Sequence, residues 1–527
     1  MNNNIKFINF FNGHKFFAAV YLFFFLFIIL PVFYIFANTF LFDNSLVSNI
    51  KQLDKNTFLL LLNSSIVAFV VSLFATFIGS VLGFLLYKTN LKYKGFFKIL
   101  FLIPLLISPY ILAVAWKDFF SVFFQNAKII SSYFGVVLVQ VFIYTPLAMI
   151  IVGNAFTNID AHLEESGLLI TNVKDVILKI VLPLIKPAIF SSFVLIFIFT
   201  ISGFSVPAFF GIRVFTTEIF TQFSAFYNHS LAILQSFLLV AVCVFLLLTE
   251  SKYISNASFL SVGSKGTNKN LFPSNNTHIL FLTIWFLISV ILPFITLVVQ
   301  SFSKGTSDII KAFDLLESAV GNSIGFALLA SALIVIVGFV AAYYSNTQTK
   351  SSSNFFDWSL LIVFTIPSIV FGIALIKFYN RVVFNFIYSG YAIIVIAYVG
   401  KFSFIASKII GNAIKQIPQS LDEAAQIEGI SFYSRIKNIL LPLILPGIFA
   451  SFIIGFIFSF GELGTTIMVY PPGTEIMPIK VFTIMANAPL ALTSSMTLIV
   501  LSVTIFMIAI LYSVSKIFMK NYGFYND

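Results

Sequence analysis

The chain has 527 residues, of which 59% are hydrophobic and only 9% are charged, and its mean hydropathy is +1.03. A folded protein with so few charged residues could not cover this much apolar surface in water. The composition therefore excludes a soluble globular protein and predicts an integral membrane protein. The formal net charge of +11 raises the question of nucleic acid as a partner.

Apolar stretches of membrane-spanning length recur along the whole chain. A helix needs about 20 apolar residues to cross the hydrocarbon core. We count twelve such stretches, centred near residues 27, 72, 106, 144, 195, 240, 289, 333, 368, 398, 452 and 506. The first stretch, from Phe16 to Ala37, is too long for a secretory signal and is followed by eleven more. The sequence therefore predicts an all-α integral membrane protein with about twelve transmembrane helices.

The positive charges are unevenly distributed between the two sides of these predicted spans. If the N-terminus is cytoplasmic, 19 of the Lys and Arg residues lie in inward-facing segments and 10 in outward-facing segments, while Lys401 falls within a span. This asymmetry follows the positive-inside rule and explains the net charge without nucleic acid. We expect a multi-pass protein of the bacterial inner membrane with both termini in the cytoplasm.

The chain resembles itself at an offset of about 259 residues. Asn63-Ser64 and Asn322-Ser323 each open a span, and Leu182-Pro183 matches Leu441-Pro442. Pro31 likewise pairs with Pro293. We predict a first transmembrane half at 1–250, a flexible cytoplasmic linker at 251–277 and a second half at 278–527. Because each half has six spans, the halves enter the membrane in the same direction and a passage would form between them.

A polar loop in the second half carries the most specific motif. Pro418, Ser420 and Asp422 predict the start of a short helix, and Gly429 predicts a turn before a second short helix from Phe432 to Ile439. The residues of this motif are Glu423, Ala424, Ala425, Gly429, Ile439, Leu441 and Pro442. Two small alanines next to a carboxylate suit close docking onto another protein, although alanine-rich loops also occur as plain connectors.

The first half contains a weaker copy of this loop. Aligned on the Leu-Pro pair, the copy consists of Glu164, Glu165, Ser166, Ile180, Leu182 and Pro183. Ile170 stands where the turn glycine should be, so the turn is either displaced to Gly167 or made by Thr171-Asn172. This departure leaves open whether the two loops couple equally to a partner.

The two loops are similar to those by which permeases of binding-protein-dependent ATP-binding-cassette importers dock onto their ATPase. The fused halves, together with Gly461-Glu462-Leu463-Gly464-Thr465-Thr466 and Pro471-Pro472-Gly473, resemble the iron(III) type and its thiamine-transporting relatives. The resemblance implies a type I importer permease fold and a homodimeric cytoplasmic ATPase that binds ATP and Mg²⁺. It also implies a periplasmic or lipid-anchored binding protein that delivers the cargo.

Candidate passage residues lie near the outer end of the eleventh span. Glu462 falls about 30 Å along this span at 1.5 Å per residue, and it is an ionisable residue in an apolar segment. It is therefore either a pathway residue or a solvated carboxylate at a helix end. Gly461 adjoins it, and the matching first-half residues are Ser202 and Gly203.

Other functions are less well supported by the sequence. No phosphate loop occurs, and the glycine and lysine residues at 263–267 have the wrong spacing, so we expect no ATP site, no other cofactor and no catalytic residues in this chain. The scattered histidines predict no metal site. An ion-coupled secondary transporter also has two parallel halves but needs more intramembrane charges. Thiamine, another cation complex or a phosphorus-containing solute stays open as the cargo.

Overall fold

The computed structural model describes residues 15–42, 53–126, 128–254, 272–347 and 350–521. These residues form α-helices, short π- and 3-10-helical turns, one four-residue strand, β1 at Ser303–Thr306, and a bridge between Thr89 and Phe272. The first-half helices are α1 Lys15–Phe24, α2 Leu30–Phe42, α3 Lys55–Lys88, α4 Lys94–Leu100, α5 Ile103–Leu106, α6 Pro109–Phe123, α7 Tyr133–Thr157, α8 Ala161–Ile170, α9 Val173–Val176, α10 Leu182–Ile201, α11 Ser205–Phe210, α12 Phe215–Ser224 and α13 His229–Ile254. The second-half helices are α14 Asn276–Phe286, α15 Leu292–Ser301, α16 Ser307–Thr347, α17 Lys350–Thr365, α18 Ser368–Tyr379, α19 Asn385–Tyr388, α20 Ala392–Lys415, α21 Gln419–Ile427, α22 Phe432–Arg435, α23 Leu441–Gly461, α24 Thr466–Val469, α25 Met477–Ile484 and α26 Leu490–Asn521.

Ten stretches of the described residues are long and apolar enough to cross a membrane as single helices. Two further stretches, near the predicted centres at 106 and 368, are helix pairs bent by 95° and 104°. The bends fall where Pro109 and Pro367 bias the preceding residue against helical geometry. The all-helical membrane fold is confirmed, and the third and ninth predicted spans are broken rather than continuous.

A π-helical turn precedes the Leu-Pro pair at four matching places in the two halves. The turns are Phe25–Ile29, Ile177–Val181, Leu287–Ile291 and Ile436–Leu440. A proline ring crowds the carbonyl one turn before it and offers no N–H, and a wider turn relieves that crowding. The helices therefore run on through these prolines, and the predicted second short helix from Phe432 to Ile439 continues into the following span.

The two halves pack their central helices in the same way. A Cβ on Gly79 of α3 would lie 2.5 Å from the Cβ of Ala148 on α7, and a Cβ on Gly338 of α16 would lie 2.6 Å from the Cβ of Ala406 on α20. Only glycine permits such close helix contacts. The repeat read from the sequence thus corresponds to one helix contact made twice.

A side-chain cap is also repeated between the halves. The Ser64 hydroxyl accepts a hydrogen bond from the Phe215 N–H at 2.8 Å, and the Ser323 hydroxyl accepts one from the Met477 N–H at 2.9 Å. Both N–H groups open a helix and would otherwise be buried without a partner. The second span of each half therefore fastens a later helix of the same half.

The broken span of each half packs against the other half. The first-half helix α6 lies against α15 and α26, while the second-half helix α18 lies against α2, α12 and α13. Each broken span is therefore buried at the junction of the halves, against helices of the half to which it does not belong. The two bends thus lie where a passage between the halves would run.

Most of the predicted linker at 251–277 lies outside the described residues. Helix α13 continues to Ile254, and α14 already begins at Asn276. Between them, Phe272 is buried, and its carbonyl accepts a hydrogen bond from the Asn90 N–H at 3.2 Å. The last residues of this segment are therefore held against the end of the second span. The division into two halves at these boundaries stays a prediction.

Candidate functional site

The second-half loop forms two short helices separated by a turn at Gly429, as the sequence predicted. Helix α21 ends at Ile427, and Gly429 follows with φ +72°. The Ile430 N–H donates to the Ala425 carbonyl at 3.1 Å, which closes the end of the helix. Side chains other than glycine are strained at this φ, so Gly429 is required by the backbone. The Ser431 side chain then caps α22.

An ion pair and an aromatic contact hold this loop in place. The Arg435 guanidinium donates to the Asp422 carboxylate at 2.7 Å and joins the two short helices. The Phe432 ring lies 5.5 Å from the Phe17 ring of the first span. Ala425 is buried against the protein, while Glu423 and Ala424 are exposed. Most of α21 is therefore exposed, and Ala425 is its buried contact with the rest of the protein.

The first-half loop reaches a similar shape by a different route. Helix α8 ends at Ile170, and the turn is made by Thr171 and Asn172, whose side chain caps the Asp175 N–H at 2.9 Å. A Cβ on Gly167 would lie 2.7 Å from Ile180 Cδ1. Gly167 is thus a packing residue between the short helices, and it does not supply the turn.

The two motif glutamates have opposite environments. Glu164 is fully buried, and its carboxylate accepts a hydrogen bond from the equally buried Lys88 ammonium at 2.8 Å. Burial raises the pKa of Glu164 above its ordinary value, although the hydrogen bond and charge of Lys88 lower it. Glu165 is partly exposed and Ser166 is exposed. The first loop therefore turns its leading carboxylate inward, whereas Glu423 points outward.

The remaining motif residues connect the loops to the spans. Ile180 and Ile439 lie in the π-helical turns and are half-buried. Leu182 and Pro183 are exposed, whereas Leu441 and Pro442 are half-buried. Because helix runs on through these positions, movement of a loop would be passed directly to the span that follows it.

Gly461 and Glu462 lie at the junction of the two broken spans. The Ser108 hydroxyl, at the first break, donates to the Gly461 carbonyl at 2.7 Å. The Thr465 hydroxyl donates to the carbonyl of Ser368, at the second break, at 3.2 Å. The Glu462 carboxylate accepts the Thr465 N–H at 2.8 Å and is half-buried. Glu462 therefore lies half-buried at this junction, directly after the end of α23.

The first-half candidates lie beside the same junction. The Ser202 hydroxyl is 3.8 Å from the Cys243 sulfur. The Gly203 carbonyl accepts a hydrogen bond from the Thr216 hydroxyl at 2.9 Å, and a Cβ on Gly203 would lie 3.1 Å from Gln140 Nε2. Neither residue has a charged side chain, so the charge of Glu462 has no counterpart in the first half.

Two lysines, Lys88 and Lys401, have buried partners that the sequence pattern does not reveal. Lys88, at the end of the second span, is the buried partner of Glu164. Lys401 was set aside, yet its ammonium donates to the Phe364 carbonyl at 3.1 Å and to the Ile366 carbonyl. A single charge inside an apolar span was a usable signal for Lys401. No sequence signal pointed to the pairing of Lys88, because its partner is 76 residues away.

Metal-ligand clusters are not found within the described ranges, where no three His, Cys, Asp or Glu side chains lie together. His162 is exposed, and His278 accepts a hydrogen bond from the Asn275 N–H at 3.2 Å. The His229 ring lies 4.4 Å from the ring of Phe223. His14 is outside the described residues.

Comparison with known proteins finds a family match within the second half of the chain. Residues 334–522 match the family described as binding-protein-dependent transport system inner membrane component. These residues therefore carry the permease domain of that family. The matched segment of this permease includes the Gly338 helix contact, the second-half loop and Glu462.

Similar curated proteins extend the match over both halves. The Fe(3+)-transport system permease protein FbpB 2 of Haemophilus influenzae is 23% identical over 429 residues, which are 80% of this chain and 83% of the relative. The ferric transport system permease protein FbpB of Actinobacillus pleuropneumoniae is 22% identical over 455 residues, 79% of this chain and 65% of the relative. A putative 2-aminoethylphosphonate permease protein, PhnV of Salmonella paratyphi A, is 22% identical over 194 residues, 37% of this chain and 72% of the relative.

Proposed function

We propose that this permease is the membrane component of an ATP-binding-cassette importer that carries iron(III) into the cytoplasm. The relatives that match both halves are named as ferric permeases, whereas the phosphonate relative matches 37% of the chain. Iron(III) is therefore better supported as the cargo than a phosphonate or thiamine.

The observation that carries the proposed mechanism is the exposed face of the two loops. Glu423 and Ala424 are exposed on α21, and Ile427 at its end is 86% exposed. At the end of α8, Leu169 and Ile170 are 88% and 87% exposed. Large apolar side chains at the tips of loops suit burial in the grooves of another protein. Two related tips match a partner with two equivalent grooves, and a homodimeric ATPase provides them.

The two docking sites differ in their polar contacts. Glu423 is free to reach an ATPase groove, whereas Glu164 is held inside by Lys88. The first loop would therefore bind through its apolar tip and through Glu165 or Ser166 at its rim. We propose that the second loop contributes more to assembly.

The side of the membrane follows from the positive-inside rule. The loops lie in segments rich in Lys and Arg, so we place them, the linker and both termini in the cytoplasm. ATP and Mg²⁺ then bind to the ATPase, and the binding protein delivers iron(III) to the opposite face. The broken spans and Glu462 lie between these two partners.

Reconstitution tests this function. The permease would be purified with the ATPase and binding protein of its gene neighbourhood and placed in vesicles that contain ATP. We expect uptake of radiolabelled iron(III) that is lost when the phosphate-loop lysine of the ATPase is replaced. Iron uptake that persists without ATPase activity would contradict the mechanism. Uptake of thiamine or 2-aminoethylphosphonate but not iron would contradict the cargo.

A further inference from the structure

The end of α10 and the second broken span meet at the junction of the halves. The Phe199 ring of the first half lies 5.4 Å from the Phe364 ring beside the break. The Tyr144 ring stacks on Phe199 at 5.8 Å. Ser202 follows Phe199 by one helical turn and lies next to Cys243. Both halves thus contribute side chains to one small region.

Lys401 places a positive charge in this region. Its side chain is 8% exposed, and its ammonium bonds to the Phe364 and Ile366 carbonyls where α17 ends. Carbonyls at the end of a helix carry partial negative charge, so this position stabilises a buried cation. A lysine within a membrane span is costly and marks a functional region by default.

Polar side chains of the second half lie near the lysine. The Thr466 hydroxyl donates to the Tyr398 hydroxyl at 3.1 Å, and Tyr398 lies one turn from Lys401 on α20. Glu462 interacts electrostatically with Lys401, Tyr398 and Tyr144, and Cys243 interacts with Lys401. The Lys401 ammonium and the Glu462 carboxylate are therefore close enough to interact near the junction of the halves.

The charge is not a requirement of the repeated architecture. The glycine contacts of the two halves align Ala148 with Ala406, and the same offset aligns Ile143 with Lys401. Ile143 is buried and apolar. A lysine is therefore unnecessary for packing at this level, and its presence in one half calls for a role in the passage.

We propose that Lys401 makes the junction selective against free cations, so that a metal ion crosses it only as an oxygen chelate of neutral or negative net charge. Repulsion grows with the product of the charges and is strong in a low-dielectric site. A bare trivalent ion would meet the ammonium with a single carboxylate to offset it, whereas an anionic chelate would be attracted. The identity of the metal rests on the proposed function, but the charge selectivity does not.

Charged thiol reagents test this selectivity without iron. The native Cys243, the one cysteine of the sequence, would be replaced by alanine and Ser202→Cys introduced as the reporter. The complex with its ATPase and binding protein would be labelled during ATP turnover with sulfonatoethyl or trimethylammonioethyl methanethiosulfonate. The labelling rate of each reagent would be divided by the rate at which the same reagent reacts with a small free thiol, which removes the difference in intrinsic reactivity.

We expect the anionic reagent to react faster in the parent protein. Lys401→Met should lower the ratio of anionic to cationic rates by about tenfold or more, and Lys401→Arg should retain the parent ratio. Glu462→Gln should raise the ratio of anionic to cationic rates above that of the parent protein. Copurification of the ATPase shows that each variant has assembled.

Three results would overturn the proposal: a ratio unchanged by Lys401→Met in an assembled complex, a preference for the cationic reagent in the parent, or no reaction with either reagent. Absence of ATP-driven iron uptake with the expected labelling pattern would instead reject only the proposed cargo.

Discussion

The buried ion pair between Lys88 and Glu164 allows a quantitative test of how the first loop is attached to its span. Both side chains are at most 1% exposed, and the charged groups are 2.8 Å apart. Removing one partner of such a pair leaves a buried charge without compensation and costs about 3–5 kcal/mol. Glu164→Leu should therefore increase the detached population of the loop by about 10²-fold to 4 × 10³-fold, at about 1.4 kcal/mol per tenfold change.

Hydrogen exchange of the loop amides at 161–181, followed by mass spectrometry, measures this detachment. Lys88→Met combined with Glu164→Leu should return exchange close to the parent rate, because no buried charge is left. Asp357→Asn is the matched control: its ion pair with Lys408 is 30–33% exposed, so its loss should cost about 1 kcal/mol or less. Exchange in Glu164→Leu no faster than in this control would refute the reasoning, as would additive effects of the two replacements.

Further substitutions test the architecture. Gly338→Leu should prevent folding, because even a Cβ at this position would lie 2.6 Å from the Cβ of Ala406. Gly321→Ala in the same helix is the control and should be tolerated, because its Cβ would meet no other atom. Membrane expression and thermal unfolding in detergent measure the effect of both substitutions. Gly429→Ala should cost about 1 kcal/mol by backbone strain alone and reduce copurification of the ATPase, and an unchanged yield would contradict a required turn. Ser64→Ala and Ser323→Ala should each cost about 1–2 kcal/mol in thermal unfolding by leaving a buried N–H without an acceptor, and a loss in one half alone would contradict the repeated cap.

Much of the architecture could be predicted from the sequence because the bilayer imposes simple rules. Length and apolarity located all twelve stretches, and the offset of about 259 residues located the matching Leu-Pro pairs. The breaks at Ser108 and Pro367 were missed because hydropathy is insensitive to a bend inside an apolar stretch. Proline spacing alone also did not distinguish a π-helical turn from the start of a new helix.

The site was predicted less completely for a related reason. Gly429 could be identified because its turn is local in sequence. The opposite environments of Glu164 and Glu423 depend on Lys88, which pairs with Glu164 in the folded protein and has no counterpart beside Glu423 among the described residues. Lys401 was overlooked because a count of charges by side of the membrane discards a charge within it. Contacts between the halves, such as Ser108 with Gly461, leave no local pattern.

Site-specific photocrosslinking from α21 tests the central claim most directly. A benzophenone amino acid would be placed at the exposed Ala424 and, as the matched control, at the buried Ala425 beside it. In membranes containing the ATPase, position 424 should crosslink to the ATPase in a manner altered by ATP, and position 425 should crosslink within the permease. If position 424 crosslinks only within its own chain, or is reached only from the outer face of the membrane, this loop does not couple the passage to ATP hydrolysis.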